Sequence, residues 1–298
     1  MMTEKTDTLS PEGLIESLGR HGYICDDNIA TVLFMAEKLA KPLLIEGPAG
    51  VGKTELARAY SDFKDRRLIR LQCYEGLDET KAIYEWNYKK QLLYIQAEKE
   101  NSNWQDIEGD IFTEQFLLAR PLLDSITSPE PAVLLVDELD KVDQEFEAML
   151  LELLGDWQIT IPEIGTIRAR HAPAVFLTSN RSRELSEALK RRCLYLYIDY
   201  PTAEREKEIV LKRFPGIEQE LASRAVQFVQ KTRSLDLRKA PSIAETLDWV
   251  AAMLLGGLNQ VDRKAVELAG STLLKHHHDI ELLLEKSRTG RWFQDDRQ

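Results

Sequence analysis

The eight residues Gly47-Pro48-Ala49-Gly50-Val51-Gly52-Lys53-Thr54 constrain this chain more than any other stretch. They fit the pattern G-x-x-x-x-G-K-[ST], in which glycines let successive backbone N–H groups turn inward around phosphate oxygens. The pattern works between a buried strand and a helix whose positive end faces the phosphates. Both flanks comply. Leu43-Leu44-Ile45 is a short apolar strand after Pro42, and helical periodicity resumes over Glu55–Phe63. Lys53 is placed to meet β- and γ-phosphate and Thr54 to hold Mg²⁺, so ATP and Mg²⁺ are the expected cofactors.

A phosphate-cradling loop calls for a carboxylate on a neighbouring strand. Val133-Leu134-Leu135-Val136-Asp137-Glu138 supplies it, an apolar run ending in two acids where open α/β sheets present their ligands. Asp137 is expected to orient Mg²⁺ through water and Glu138 to polarise an attacking water, which points to hydrolysis. The strand Ala174–Thr178 closes on Ser179-Asn180, which puts Asn180 near the γ-phosphate. Lys190-Arg191-Arg192 ends a short helix before the strand Leu194–Ile198. Such a basic end is favoured by the helix dipole alone. It is also the place for an arginine finger that reaches a neighbouring subunit's nucleotide, with Arg192 the first choice and Arg191 the second. Arg238-Lys239 is either a γ-phosphate sensor or a solvated basic pair. Three successive histidines, His276–His278, cannot share one helix face and read as solvated.

The remaining chain frames these motifs. Asp26 and Asp27 cap a helix with Ile29, Val32, Leu33, Ala36 and Leu39 on one face. Leu68–Cys73 reads as a strand, Asp78–Lys99 as mainly helical, Thr113–Ile126 and Gln144–Leu154 as helices. Gln158–Ile161 and Thr166–Arg168 read as a hairpin around Pro162–Gly165. Strands alternating with helices give a parallel sheet covered on both faces. Beyond Pro201 only helical periodicity remains, broken at Pro215-Gly216, Pro241 and Gly256-Gly257.

Charge and cysteine usage narrow the function. Fifty acidic against 39 basic residues leave a net charge of −11, a field that opposes nucleic acid. No apolar run approaches the roughly 20 residues of a membrane helix. The polar, acidic start lacks a secretion signal, so a cytoplasmic location is expected. Cys25, Cys73 and Cys193 are far apart and form no C-x-x-C pair, as befits buried thiols in a reducing compartment.

Taken together, the loop at 47–54, the acids at 137–138, Asn180, Arg191-Arg192 and the helical tail resemble an AAA+ ATPase over about residues 12 to 285. The implied fold is α/β: a P-loop NTPase three-layer parallel sheet over residues 1–200, then a small all-helical lid domain over 201–298. An insert in helix 2, about residues 74–110, and a hairpin at about 158–169 before the Asn180 strand are similar to the MoxR clade. Phe116-Leu117-Leu118-Ala119-Arg120-Pro121-Leu122 and Leu237-Arg238-Lys239-Ala240-Pro241-Ser242-Ile243-Ala244-Glu245-Thr246 resemble its CoxD-type branch. The resemblance implies a homo-hexameric ring, a von Willebrand factor A domain partner, and a client metalloenzyme such as a molybdenum hydroxylase of the carbon monoxide dehydrogenase type. Relatives carry arginine after the lid proline, where this chain has Ser242, so Arg238 or Lys239 substitutes or the lid sensor is absent. The insert's aromatics Tyr74, Tyr84, Trp86, Tyr88, Tyr94 and Trp104 either pack the insert or, with Ile164 of the hairpin, meet the client. A DNA-processing motor or restriction NTPase subunit shares these motifs and is the alternative. A nucleotide-gated scaffold with little turnover is a third reading, and Glu138 argues against it.

Overall fold

Two fully buried strands anchor the sheet, β1 (Leu43–Glu46) and β5 (Val133–Asp137). Their continuous apolar runs suit a sheet covered on both faces. In the computed structural model, which describes residues 10–98, 110–288 and 290–293, they belong to a five-stranded sheet ordered β2-β5-β8-β1-β9. The other members are β2 (Leu68–Gln72), β8 (Ala174–Ser179) and β9 (Leu194–Tyr197), and every pairing is parallel. Register aligns Gln72 with Asp137 and Glu46 with Ser179, so the strands' C-terminal ends form one rim. In the strand order, β8 lies between β5 and β1, which sets Asn180, just after β8, between the C-terminal ends of β1 and β5.

Helices α1 (Pro11–Arg20) and α2 (Asp27–Lys38) precede β1, and the Asp26 carboxylate caps α2 by accepting from the Ile29 N–H at 2.9 Å. Helix α3 (Lys53–Lys64) begins at the loop's own lysine. The first compact unit comprises the chain up to Gly47 and Lys53–Tyr197. One side of its core gathers Leu44, Leu134, Val136, Leu150, Ile159 and Leu177.

The segment after β2, expected to be mainly helical over Asp78–Lys99, also contains a strand. Helix α4 (Glu79–Ala82) is one turn long and gives way to β3 (Tyr84–Trp86), then α5 (Tyr88–Glu98). The helix expected over Thr113–Ile126 is instead a 3₁₀ turn at Glu114–Phe116, β4 (Leu117–Ala119) and α6 (Pro121–Thr127). Pro121 sits at N1 and holds Arg120 extended, which breaks the helix there. β3 and β4 pair antiparallel, Trp86 opposite Leu117. Trp86 is buried with its ring edge-on to Phe112 and Tyr84, and Tyr94 meets the buried Phe116. Packing within the insert therefore accounts for the burial of Trp86. Trp104 and residues 1–9 lie outside the described residues.

Helix α7 (Gln144–Asp156) leads into the hairpin β6 (Gln158–Ile161) and β7 (Gly165–Arg168). Gly165 closes its turn at φ +93°, and Ile164 is half-buried against the core. Helix α8 (Glu187–Arg192) precedes β9.

The second unit takes Pro48–Gly52 with the chain from Ile198. It holds helices α9 (Ala203–Arg213), α10 (Gln219–Arg233), α11 (Ile243–Leu255), α12 (Arg263–Leu273) and α13 (His277–Ser287). Phe228 stacks on the fully buried Trp249 at 4.9 Å. A buried Arg233–Glu206 pair, at 2.6 and 2.7 Å, joins α10 to α9, and Thr246 of α11 donates to the same carboxylate. Among the described residues no helix is long and apolar enough to cross a membrane.

Candidate functional site

At the sheet's rim the loop after β1 delivers Lys53 and Thr54. Gly47, Gly50 and Gly52 hold φ of +152°, +73° and +97°, values that a side chain rarely tolerates. The Lys53 ammonium is buried and donates to the Gly47 carbonyl at 2.8 Å and to Asn180 Oδ1 at 2.7 Å. Burial pulls its pKa below the ordinary lysine value, against the opposing pull of Asp140, Asp137 and Glu138. Thr54 Oγ1 donates to both oxygens of Asp137, at 3.0 and 3.2 Å. A single geometry thus joins Lys53, Thr54, Asp137 and Asn180.

A carboxylate and a hydroxyl side by side suit a hard dication that keeps several waters. Asp137 and Thr54 are the residues that would hold Mg²⁺. Among the described residues no cluster of three or more His, Cys, Asp or Glu side chains is placed for a metal. His277 and His278 are exposed on α13.

Around this centre lies a set of residues that the sequence pattern passes over. The Thr178 hydroxyl, on β8, donates to Asp137 Oδ1 at 2.5 Å and accepts from the Glu138 N–H at 3.0 Å. Glu138 itself sits in the left-handed region, φ +58° and ψ +47°, a conformation that its surroundings must maintain. Asp140 accepts from the Asn180 N–H at 3.0 Å and from the Ser182 N–H at 2.9 Å. Burial raises the Asp140 pKa, but these bonds and the Ser182 hydroxyl outweigh it and hold the carboxyl below its usual range. Arg70, on β2, reaches Asp137 Oδ2 at 2.5 Å. Only strand order could have revealed these partners, because β2 and β8 flank β5.

The other expected site residues lie elsewhere. Arg191 and Arg192 are exposed at the C-terminal end of α8. The Arg192 guanidinium lies along α7, where a Cβ on Gly155 would come within 3.1 Å of its Nε. Among the described residues neither arginine forms an ion pair, and neither joins the Lys53–Asp137 cluster. In the second unit the Arg238 and Lys239 N–H groups donate to the buried Asp279 at 3.0 and 3.3 Å, which fixes that loop through its backbone. Ser242 caps α11, its N–H donating to Glu245 at 2.9 Å in a capping box. All three cysteines are buried, and burial pushes the Cys73 and Cys193 thiols up to about 12.

The chain is similar to several known proteins. The chain is 26% identical over 234 residues to the uncharacterized protein SAB1265c of Staphylococcus aureus (strain bovine RF122 / ET3-1), covering 76% of this chain and 80% of that protein. It is 24% identical over 264 residues to the uncharacterized protein YojN of Bacillus subtilis (strain 168), covering 83% and 79%. Among solved structures, a mutant of Thermotoga maritima RuvB matches 97% of this chain and 75% of its own at 17% identity and a TM-score of 0.49. The Thermotoga maritima RuvB Holliday junction branch migration motor matches 99% and 75% at 16% identity and a TM-score of 0.45. A model of the AAA domain, dynein-related subfamily, matches residues 42–193, just over half of the chain, which therefore belongs to that family.

Proposed function

We propose that this protein is an ATPase that works as a ring and remodels another protein. The observation that carries the proposal is the convergence of Lys53, Thr54, Asp137 and Asn180 on one rim of a parallel sheet, with Glu138 beside them. Bound Mg²⁺ supplies charge that offsets the growing negative charge on the phosphates. Lys53 and the backbone N–H groups of the glycine-rich loop orient the triphosphate. Asp137 and Thr54 would hold the ion. Glu138 accepts a proton from the attacking water, and Asn180 orients that water. Most of the rate enhancement comes from positioning and fixed charge.

Arg192, with Arg191 behind it, serves a neighbouring subunit's nucleotide. Exposure at a helix end, without an ion-pair partner among the described residues, supports that role. Arg192→Ala should then stop turnover and leave nucleotide binding intact. Arg238 has the remaining part, a sensor in the lid over residues 201–298. The partner reading follows from the MoxR-type resemblance: a homo-hexamer, paired with a von Willebrand factor A domain protein, that matures a metalloenzyme of the molybdenum hydroxylase type. The acidic balance favours a protein client over DNA.

A trap experiment tests this. Tagged Glu138→Gln protein, incubated with lysate and ATP, should retain a von Willebrand-type protein or a molybdenum enzyme, identified by mass spectrometry. Recovery of DNA with replication or restriction proteins would instead make the chain a DNA motor.

A further inference from the structure

Asp137 is 3% exposed and receives donors from three sides: Thr54, Thr178 and Arg70. The first two are neutral hydroxyls. The third is a full positive charge, placed on the carboxylate that the ATPase reading assigns to Mg²⁺. Arg70 and Gln72 share the exposed face of β2, and the Gln72 amide oxygen accepts from the same Arg70 Nη2 at 2.5 Å. The guanidinium is thereby tethered at its head, while 46% of the side chain stays exposed and has room to leave.

We propose that Arg70 is a positioning residue, a built-in counter-charge that neutralises Asp137 in the absence of a dication and gives it up to nucleotide-bound Mg²⁺. This rests on the ATPase reading above. A guanidinium and a magnesium ion cannot both hold one buried carboxylate without mutual repulsion. Arg70 therefore resists Mg²⁺ arriving alone. It also keeps Asp137 from standing as an unpaired buried charge between turnovers, a state that would be costly. With the triphosphate present, its added negative charge would favour the ion over Arg70, and Arg70 moves towards solvent.

The test compares the dissociation constant of a fluorescent ATP analogue in excess EDTA with that in saturating Mg²⁺, by equilibrium titration. Arg70→Gln should raise the Mg²⁺ enhancement of affinity about fivefold to tenfold over wild type, as expected for the loss of one charge-assisted contact. Arg70→Lys, which keeps the charge, should remain near wild type. Gln72→Ala removes only the tether, so it should move the ratio in the same direction by a smaller factor. It decides the matter if Arg70→Gln does not fold. An unchanged ratio overturns the proposal. So does an equal loss of affinity with and without Mg²⁺, which would make Arg70 a phosphate ligand. Wild-type protein that binds no nucleotide, or binds it without regard to Mg²⁺, refutes the ATPase reading itself and the Arg70 proposal with it.

Discussion

Replacing Thr178 by valine should damage the candidate site out of proportion to the change in shape. Thr178 is 1% exposed, and its hydroxyl gives Asp137 one of its hydrogen bonds and accepts the Glu138 N–H. Valine matches its volume but does neither. A hydrogen bond to a charged group contributes about 1.5–3 kcal/mol, and a buried donor left unpaired costs roughly 1–3 kcal/mol. The two effects share one side chain, so a combined loss of about 3 kcal/mol is a fair central value. For a unit of this size each kcal/mol lowers the melting temperature by about 2–4 °C, which gives a drop of about 6–12 °C. The Glu138 N–H bond also helps to hold that residue in its left-handed conformation, so hydrolysis should fall on the order of tenfold to a hundredfold. Calorimetry and a phosphate-release assay read both effects. Thr178→Ser retains the hydroxyl and should recover most of each. A valine variant within about 2 °C of wild type, or a serine variant as damaged as valine, would refute the reasoning.

Two further changes test the supports around the site and the helical unit. The Asp140 carboxyl is held below its usual range in the fold, so its contribution to stability is present above the unfolded value of about 3.9 and is lost as pH falls through the folded value. Asp140→Asn should therefore melt below wild type at neutral pH, with the gap closing below about pH 4; a gap independent of pH would contradict this. Arg233→Ala strands Glu206, whose side chain is fully buried, and should destabilise the helical unit by about 3–5 kcal/mol in urea unfolding. A loss below about 1 kcal/mol would show that the pair is dispensable.

The long elements were legible where hydrophobic patterns are local. β1, β5 and β8 are apolar runs bounded by proline or polar turns, and helices α2 and α7 carry clear faces after capping aspartates. The small sheet of β3 and β4 was not. Three residues are too few for a period-two signal, and the partners lie about 30 positions apart, so neither strand exists without the other. The Arg120-Pro121 step was the available warning against a continuous helix there. At the site, Lys53, Thr54, Asp137 and Glu138 could be read because the chemistry lies in contiguous motifs. Arg70, Thr178 and Asp140 could not, because their partnerships depend on β2 and β8 flanking β5 in a specific register. Arg238-Lys239 reads from the sequence as either a sensor or a solvated basic pair; both backbone N–H groups donate to Asp279, and the Lys239 ammonium lies 3.7 Å from the Glu245 carboxylate.

The most direct measurement pairs ATP hydrolysis with nucleotide affinity for wild type and Glu138→Gln, with Lys53→Ala as the binding control. Wild type should release phosphate in a Mg²⁺-dependent manner. Glu138→Gln should bind ATP as wild type does while turnover falls by at least about a hundredfold, and Lys53→Ala should lose affinity. Turnover unchanged in Glu138→Gln, or affinity unchanged in Lys53→Ala, would contradict the assignment of this rim as an ATPase site.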